Sequence, residues 1–293
     1  MDIRELKYFL AVAREESISK AANYLYITQP SLTRQMQSLE KEIGKPLFSR
    51  KNRKMTLTET GSLLRKHAEE IVALYEKTQK ALSSPSERVS GEVYIGCSES
   101  YAVKIIAKIA KEIRSEYPNI TFHLSSGDSI DVSEKLEKGL LDFGILIEAA
   151  NLNEYDGLRL PVRDVWGVLM RKDAPLARKE VIEPQDLTDK PIICSKHSIA
   201  IRNIARWMKT DPEKLNIVAT YNLIYNASLL VEEGIGYAIG LDKLIHTGTD
   251  SPFTFRPLSP LTESPLDIVW KKYQIFSPAA QIFLQKLQER IPH

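Results

Sequence analysis

The sequence predicts an α/β protein in two unlike parts: an all-α N-terminal domain completed by a β-hairpin wing, and, beyond a long linker helix, a C-terminal α/β segment of two similar halves. Three patterns predict it. Residues 3–43 carry three amphipathic helical repeats in close succession, followed by a cationic hairpin. Residues 58–82 place an apolar residue at alternating steps of four and three, and from residue 92 short apolar runs alternate with amphipathic stretches.

Composition bounds the function classes. A length of 293 residues suggests two or three compact units. With 43% hydrophobic and 27% charged residues, a disordered chain is excluded. No apolar window is long enough to cross a bilayer. Met1-Asp2-Ile3-Arg4-Glu5 carries charge at once, without the apolar run of a secretory signal, so the expected location is the cytoplasm and no membrane partner is expected. Cys97 and Cys194 are too few for a disulfide framework or a zinc cluster, and the five histidines show no pair at ligand spacing, so neither metal nor cofactor is expected. The net charge of +2 is unevenly placed: residues 1–88 hold 16 Lys and Arg against 11 Asp and Glu, a surplus of +5, which leaves −3 for the remainder. A basic segment of this kind is the electrostatic footprint of a nucleic-acid module.

Within that segment Asp2 can cap a helix over residues 3–14, with Leu6, Phe9, Leu10 and Ala13 on one face. A short second helix, residues 18–25, buries Ala21, Ala22 and Leu25; its small alanines let a neighbouring helix approach closely, as a helix-turn-helix requires. Tyr26 and Ile27 form the turn. Thr28 then caps a third helix, residues 29–43, where Pro30 is tolerated in the first turn and Gly44 supplies the stop. Leu32, Met36, Leu39 and Ile43 form its buried stripe, and Gln29, Ser31, Arg34, Gln35 and Ser38 project from the other side. Arg pairs with guanine and Gln with adenine through bidentate hydrogen bonds, so this face suits base edges and phosphates. A hairpin follows, residues 47–50 and 55–57, with Arg50, Lys51, Arg53 and Lys54 clustered at its tip; placed beside such a helix, these cations neutralise phosphates or enter a minor groove.

Ser19-Lys20-Ala21-Ala22, Thr28-Gln29-Pro30-Ser31-Leu32-Thr33-Arg34-Gln35, Leu39-Glu40-Lys41-Glu42-Ile43-Gly44, Pro46-Leu47-Phe48 and Leu57-Thr58-Glu59-Thr60-Gly61, in this order and spacing, resemble the winged helix-turn-helix of the LysR-type transcriptional regulators over about 60 residues. The resemblance implies that Gln29, Pro30, Ser31 and Arg34 approach bases and that Arg53 serves the wing. The expected DNA-contacting set is therefore Thr28, Gln29, Pro30, Ser31, Arg34, Gln35, Ser38, Arg50, Lys51, Arg53 and Lys54.

Thr58 can cap a long helix to about residue 82. Leu64, Ala68, Ile71, Tyr75, Thr78 and Leu82 make a heptad seam on it, weakened at the outer end by Thr78. A stripe of this kind needs a partner surface. The resemblance implies antiparallel pairing with a second copy through Leu64, Ala68, Ile71, Tyr75 and Leu82; the same stripe could instead pack on its own domain. Ser83-Ser84-Pro85-Ser86 reads as a hinge.

The C-terminal segment reads as a βαβαβ half from strand 93–96, the helix face Val103, Ile106, Ala107, Ala110 and Ile113, strand 121–124, helix 132–138 and strand 143–147. A similar set recurs at residues 192–194, 201–209, 217–221, 229–233 and 237–240. Leu136-Glu137-Lys138-Gly139-Leu140 echoes Val231-Glu232-Glu233-Gly234-Ile235, each a helix end, a glycine stop and a strand start. The resemblance implies two lobes like those of periplasmic binding proteins, crossover strands near residues 160–163 and 264–270, and a last helix, residues 278–290, returning to the first lobe. The domains expected are residues 1–58 for DNA binding, 59–90 for the linker and hinge, and 91–293 for effector binding, with lobe I at 91–161 and 266–293 and lobe II at 162–265.

In open α/β sheets ligands sit beyond the carboxyl ends of strands, where helix N-termini point inward. That rule selects Ser98, Ser100, Gly127, Asp128 and Ile147 in the first lobe, and Ser195, His197, Arg202 and Asn222 in the second, as an effector site. Taken singly, each serine reads equally well as a helix cap. Together the hydroxyls and facing helix dipoles favour a small anion. Cys97 and Cys194 each end a strand, one per lobe; such cysteines are usually inert.

The expected function is sequence-specific transcription regulation under control of a small-molecule effector. The expected partners are double-stranded DNA bearing an inverted promoter repeat, one or more further copies of the chain, and RNA polymerase. A solute-binding protein would share the C-terminal half but not the basic N-terminal module, and an architectural DNA binder would lack a ligand response. An enzyme is not expected: Gly-x-Gly-x-x-Gly, Walker and His-Glu-x-x-His patterns are absent, and Gly96-Cys97-Ser98-Glu99-Ser100 departs from a Gly-x-Ser-x-Gly elbow at Ser100.

Overall fold

Asp2 opens the first helix, α1 (Ile3–Glu15): its carboxylate accepts the Glu5 N–H at 2.8 Å while the Glu5 carboxylate accepts the Asp2 N–H, a reciprocal cap. The computed structural model describes residues 1–51, 54–82, 90–147, 154–196 and 198–291, and the chain divides into the units Met1–Ser84 and Pro85–His293. In the first unit α1 buries Leu6, Phe9, Ala11 and Val12, α2 (Ile18–Tyr24) buries Ala21 and Ala22, and α3 (Gln29–Ile43) buries Leu32, Met36 and Leu39. Leu10 and Ala13, expected inside, are half-buried; α1 is covered on more than one side, by α2, α3 and the later α4 (Glu59–Leu82), so Ala11 and Val12 turn inward instead.

The wing is an antiparallel pair, β1 (Phe48–Lys51) and β2 (Lys54–Leu57), in register from Phe48↔Leu57 to Lys51↔Lys54. Pairing thus runs further toward the tip than the sequence suggested. Glu40 on α3 holds its base, one carboxylate oxygen accepting the Leu47 and Phe48 N–H groups at 2.7 and 3.2 Å. The Thr58 hydroxyl donates to the Pro46 carbonyl at 2.8 Å and accepts the Gly61 N–H at 3.0 Å, fastening the wing to the start of α4. Gly61 is required by space: a Cβ there would stand 2.1 Å from the Leu47 carbonyl oxygen.

The stripe on α4 is divided, which corrects the single dimer seam expected over residues 64–82. Ala68 is 0% exposed and Leu64 half-buried, both in the core of their own unit. The reason is that α1 lies along α4, with Lys7 bonded to Glu76 at 2.7 Å and its ammonium 5.7 Å from the Tyr75 ring centroid. Ile71 (45% exposed), Tyr75 and Leu82 remain open to solvent, joined there by Leu63 and Leu74.

The second unit holds two parallel three-strand sets. In one, β3 (Gly91–Cys97) lies between β4 (Ile120–Ser126) and β5 (Phe143–Ile147), connected through α5 (Val103–Glu116) and α6 (Ser129–Glu137). A very long strand, β6 (Tyr155–Arg171), leads to the other. There β7 (Ile192–Ser195) lies between β8 (Ile217–Tyr221) and β9 (Tyr237–Leu241), connected through α7 (Ser198–Trp207) and α8 (Ile224–Glu232). β10 (Phe253–Pro257) pairs with β6, and β11 (Glu263–Lys271) returns antiparallel to both β5 and β6. The order is β4-β3-β5-β11-β6-β9-β7-β8, with β10 off this path. β6 changes neighbours between Val165, opposite Glu263, and Trp166, opposite Leu241, so the lobes meet a few residues beyond the boundary drawn at 161/162. The last helix, α9 (Pro278–Arg290), packs Ala279, Ala280, Phe283, Leu284 and Leu287 into the first lobe.

The two lobes share their helix ends. Gly139 (φ 70°) and Gly234 (φ 77°) both adopt the left-handed conformation after α6 and α8. In each case the following residue bonds back five positions, Leu140 N–H to Lys135 and Ile235 N–H to Leu230, both at 3.0 Å. On α5 the inward row is Ile106, Ile109 and Ile113; Ala107, expected inside, faces solvent because the larger isoleucines take the side covered by α9 and the sheet.

Gly61→Ala is expected to lower the unfolding free energy of the N-terminal unit by roughly 1–3 kcal/mol, because the backbone at Leu47 must shift; an unchanged denaturant midpoint would refute the clash. Both cysteines are buried, and burial pushes the thiols up to about 12 at Cys97 and about 11 at Cys194. Thiol reagents at neutral pH should therefore label neither in the native protein and both in denaturant, as mass spectrometry would report.

Candidate nucleic-acid interface and ligand cleft

α3 begins at Thr28, whose backbone is extended (φ −75°, ψ 141°) and whose hydroxyl makes no capping bond, contrary to the sequence expectation; Pro30 in the first turn favours the helical start on its own. Because Leu32, Met36 and Leu39 point inward, the opposite side is left in solvent: Thr28, Gln29, Pro30, Ser31, Arg34 and Ser38 are exposed, and Gln35 is half-buried at the margin. Arg34 makes no ion pair among the described residues. Arg53 and the side chains of Arg50, Lys51 and Lys54 lie outside the described residues; the backbone of these last three continues β1 and β2. Two residues outside the expected DNA-contacting set stand beside this face. Ser19, on α2, donates its hydroxyl to Gln29 Oε1 at 3.0 Å, and Tyr26, in the turn, holds φ 55° with its side chain 96% exposed. The positive φ gave no local signal, since it falls on a tyrosine rather than a glycine or asparagine.

In the second unit the expected effector residues, Arg202 and His197 apart, lie at or just beyond strand ends. Ser98 is 4% exposed, donates its N–H to Ile145 O at 3.1 Å, and leaves its Oγ without a partner. Ser100 accepts the Ala102 N–H at 2.9 Å. Gly127 N–H reaches Cys97 O at 3.1 Å, and Asp128 caps α6 by accepting the Ile130 and Asp131 N–H groups at 3.0 and 2.9 Å. The Ile147 carbonyl accepts the Ser129 hydroxyl at 3.5 Å. Across the cleft Ser195 ends β7 half-buried, Lys196 Nζ approaches Asp128 Oδ2 to 3.9 Å, and Asn222 accepts the Leu223 N–H at 3.0 Å. Arg202 stands exposed on α7, and no described contact brings it to the others. His197 lies outside the described residues.

Two further acids belong to this cleft. Glu99, between the two serines, accepts the Ile224 N–H of the opposite lobe at 2.6 Å, supplying the start of α8 with the cap that Leu223 lacks. Burial raises its carboxyl above the usual range, and the amide bond opposes this. Asp164, on β6 beside the lobe junction, is 3% exposed with Oδ2 unpartnered. Burial raises its carboxyl too; the Ser100 hydroxyl and Lys243 pull it down, while Asp242 adds to the rise. Lys243 sits 2.8 Å from Asp242 and 5.7 Å from the Tyr101 ring centroid. Among the described residues no cluster of His, Cys, Asp and Glu is placed to hold a metal ion. Hydroxyls, carboxylates, the ammonium groups of Lys196 and Lys243 and two helix starts are equipped to hold a small polar molecule by hydrogen bonds and to tie one lobe to the other.

Comparison with known proteins accords with both regions. A family model described as "Bacterial regulatory helix-turn-helix protein, lysR family" matches residues 3–62, and one described as "LysR substrate binding domain" matches residues 86–292. The chain is 29% identical over 214 residues to the HTH-type transcriptional regulator IlvY of Escherichia coli (strain K12), covering 72% of this chain and 71% of that protein. It is 28% identical to an uncharacterized HTH-type transcriptional regulator, YybE, of Bacillus subtilis (strain 168), covering 97% of each. CbnR, a LysR family transcriptional regulator, shares the fold at a TM-score of 0.78 with 16% identity and complete coverage of both chains. CbnR complexed with its target DNA gives 0.76 with 18% identity, covering 99% of each. The chain belongs to the LysR family of transcriptional regulators, with an N-terminal helix-turn-helix DNA-binding domain and a two-lobed effector-binding domain.

Proposed function

We propose that the chain regulates transcription by placing the exposed N-terminal end of α3 in the major groove of a specific DNA site, under control of a small anionic effector held between the lobes of the second unit. One observation carries the DNA half: Gln29, Pro30, Ser31 and Arg34 occupy the free side of a helix whose other side is fully committed to the core. Arg34 and Gln29 read base edges, Ser31 and Ser38 approach phosphates, and the cations of the wing hairpin, Arg50, Lys51, Arg53 and Lys54, add phosphate or minor-groove contacts. A homodimer or a larger homo-oligomer, assembled through the exposed outer part of α4 at Ile71, Tyr75 and Leu82, presents two such heads to an inverted repeat.

Effector binding draws on Ser98, Ser100, Gly127, Asp128, Ile147, Ser195, His197 and Asn222. The support for an anion is Glu99: the start of α8 already accepts a carboxylate from the chain itself, the chemistry an effector carboxylate would reproduce. Ser98, buried with an idle hydroxyl, is its nearest available donor in the sequence. Differential binding to two lobe arrangements then shifts DNA bending and contact with RNA polymerase. The chain carries out no turnover and acts in the cytoplasm; among the described residues no helix is long and apolar enough to cross a membrane. A solute-binding protein without a transcriptional role is the competing reading, and absence of salt-sensitive DNA association would favour it.

Arg34→Ala is expected to lower discrimination between the preferred and altered sites by roughly 1–3 kcal/mol in anisotropy titrations at fixed salt; unchanged discrimination removes Arg34 from the base-reading set. Ser98→Ala should leave DNA affinity intact and diminish the thermal shift produced by small carboxylates. Loss of DNA binding by that variant would instead make Ser98 a structural residue.

A further inference from the structure

We propose that Ser19 is a positioning residue for sequence reading: its hydroxyl fixes the Gln29 carboxamide so that Gln29 meets DNA as a hydrogen-bond donor. The proposal rests on the reading that Gln29 approaches base edges. Ser19 lies in the first turn of α2 and Gln29 opens α3, and the two are joined by the Ser19 O–H to Gln29 Oε1 bond at 3.0 Å. Both side chains are exposed, so packing fixes neither. Nor is Ser19 needed to start its own helix, because Ser17 does that by accepting the Lys20 N–H at 3.4 Å. What the Ser19 hydroxyl does accomplish is to set the amide.

Engaging Oε1 turns the –NH2 end of Gln29 away from α2. Two donors then face outward, matched to the acceptors of the major groove: purine N7, guanine O6 and thymine O4. The second lone pair of Oε1 leaves bidentate pairing with adenine available, N6–H to Oε1 and –NH2 to N7, whereas cytosine offers its N4 donor to that lone pair but no acceptor for the –NH2, and so makes one bond where adenine makes two. The Ser19 bond also removes beforehand the rotamer freedom that an unheld glutamine would lose on contact.

The test is selection of bound duplexes from a random library by the full-length protein, then competition among single-base-pair variants of the selected site. Wild type is compared with Ser19→Ala, Ser19→Thr, Gln29→Ala and the double variant S19A/Q29A. Ser19→Ala is expected to cut discrimination at one base-pair position by about fivefold, the lower end of what a bidentate contact supplies, with other positions and the melting temperature unchanged. Ser19→Thr should restore it, and Ser19→Ala should add nothing in the Gln29→Ala background. A uniform loss across all variants, or an equal loss in that background, would place Ser19 on a phosphate and overturn the proposal. If Gln29→Ala leaves every preference intact, the base-reading role of Gln29 fails and the proposal falls with it. If Gln29→Ala erases a preference that Ser19→Ala leaves whole, the positioning role of Ser19 alone is wrong.

Discussion

Burial of Leu32, Met36 and Leu39 along one side of α3 decides what the other side can present. Spaced at four and three residues, they form a single stripe against α1 and α2, each contributing about 1.5–3 kcal/mol of burial free energy. Rotating the helix to hide Arg34 or Ser38 would bring these apolar side chains out. The wing hangs on the same helix, because Glu40 on α3 receives the two backbone N–H groups at the start of β1, and Thr58 ties that strand to α4. A recognition face, a hairpin and the root of the long helix are thus oriented by one packed stripe, which is how a short segment of sequence achieves a fixed geometry toward a rigid duplex.

In the second unit the comparable constraint is the antiparallel pair β6 and β11. These strands tie the parallel sets of both lobes into one hydrogen-bonded path, and β6 passes from β11 to β9 between Val165 and Trp166. The carboxyl ends of β3, β4 and β7, with the helices that follow, then face a common space, and the contacts from Glu99 to Ile224 and from Asp128 to Lys196 cross it.

How far the sequence could be read depended on whether the deciding signal was local. The bounds of α3 were legible because Pro30 and Gly44 mark its ends, and Gly44 indeed turns left-handed at φ 75°. The repeated glycine stops at Gly139 and Gly234 exposed the duplication of lobes for the same reason. At Leu64 and Ala68 the α4 stripe is ambiguous from sequence, because periodicity reports that a face is covered, not whether the cover belongs to the same chain. The sequence marks only a short crossover within β6, because burial alternates around Leu158 and Leu160 and then becomes continuous from Gly167 to Met170, so no single period runs through the strand. Glu99 and Asp164 carry no sequence signal of their own, because acids are ordinarily solvated and only the tertiary fold buries these two.

Those two acids bear on how such a cleft works. An unpartnered carboxylate oxygen at Asp164 and an idle hydroxyl at Ser98 each cost the folded state the hydration they have lost. Apolar residues in their places would pack without that cost, and stability alone gives no reason to keep polar groups there. Glu99 shows what the polarity accomplishes: the bond it makes to the opposite lobe is to a single backbone N–H at a helix start, a donor that any other carboxylate can satisfy. A contact of that kind is exchangeable by its chemistry. The effector carboxylate proposed for this cleft carries the same chemistry as Glu99 and would find at the start of α8 a donor of the kind that Glu99 already uses.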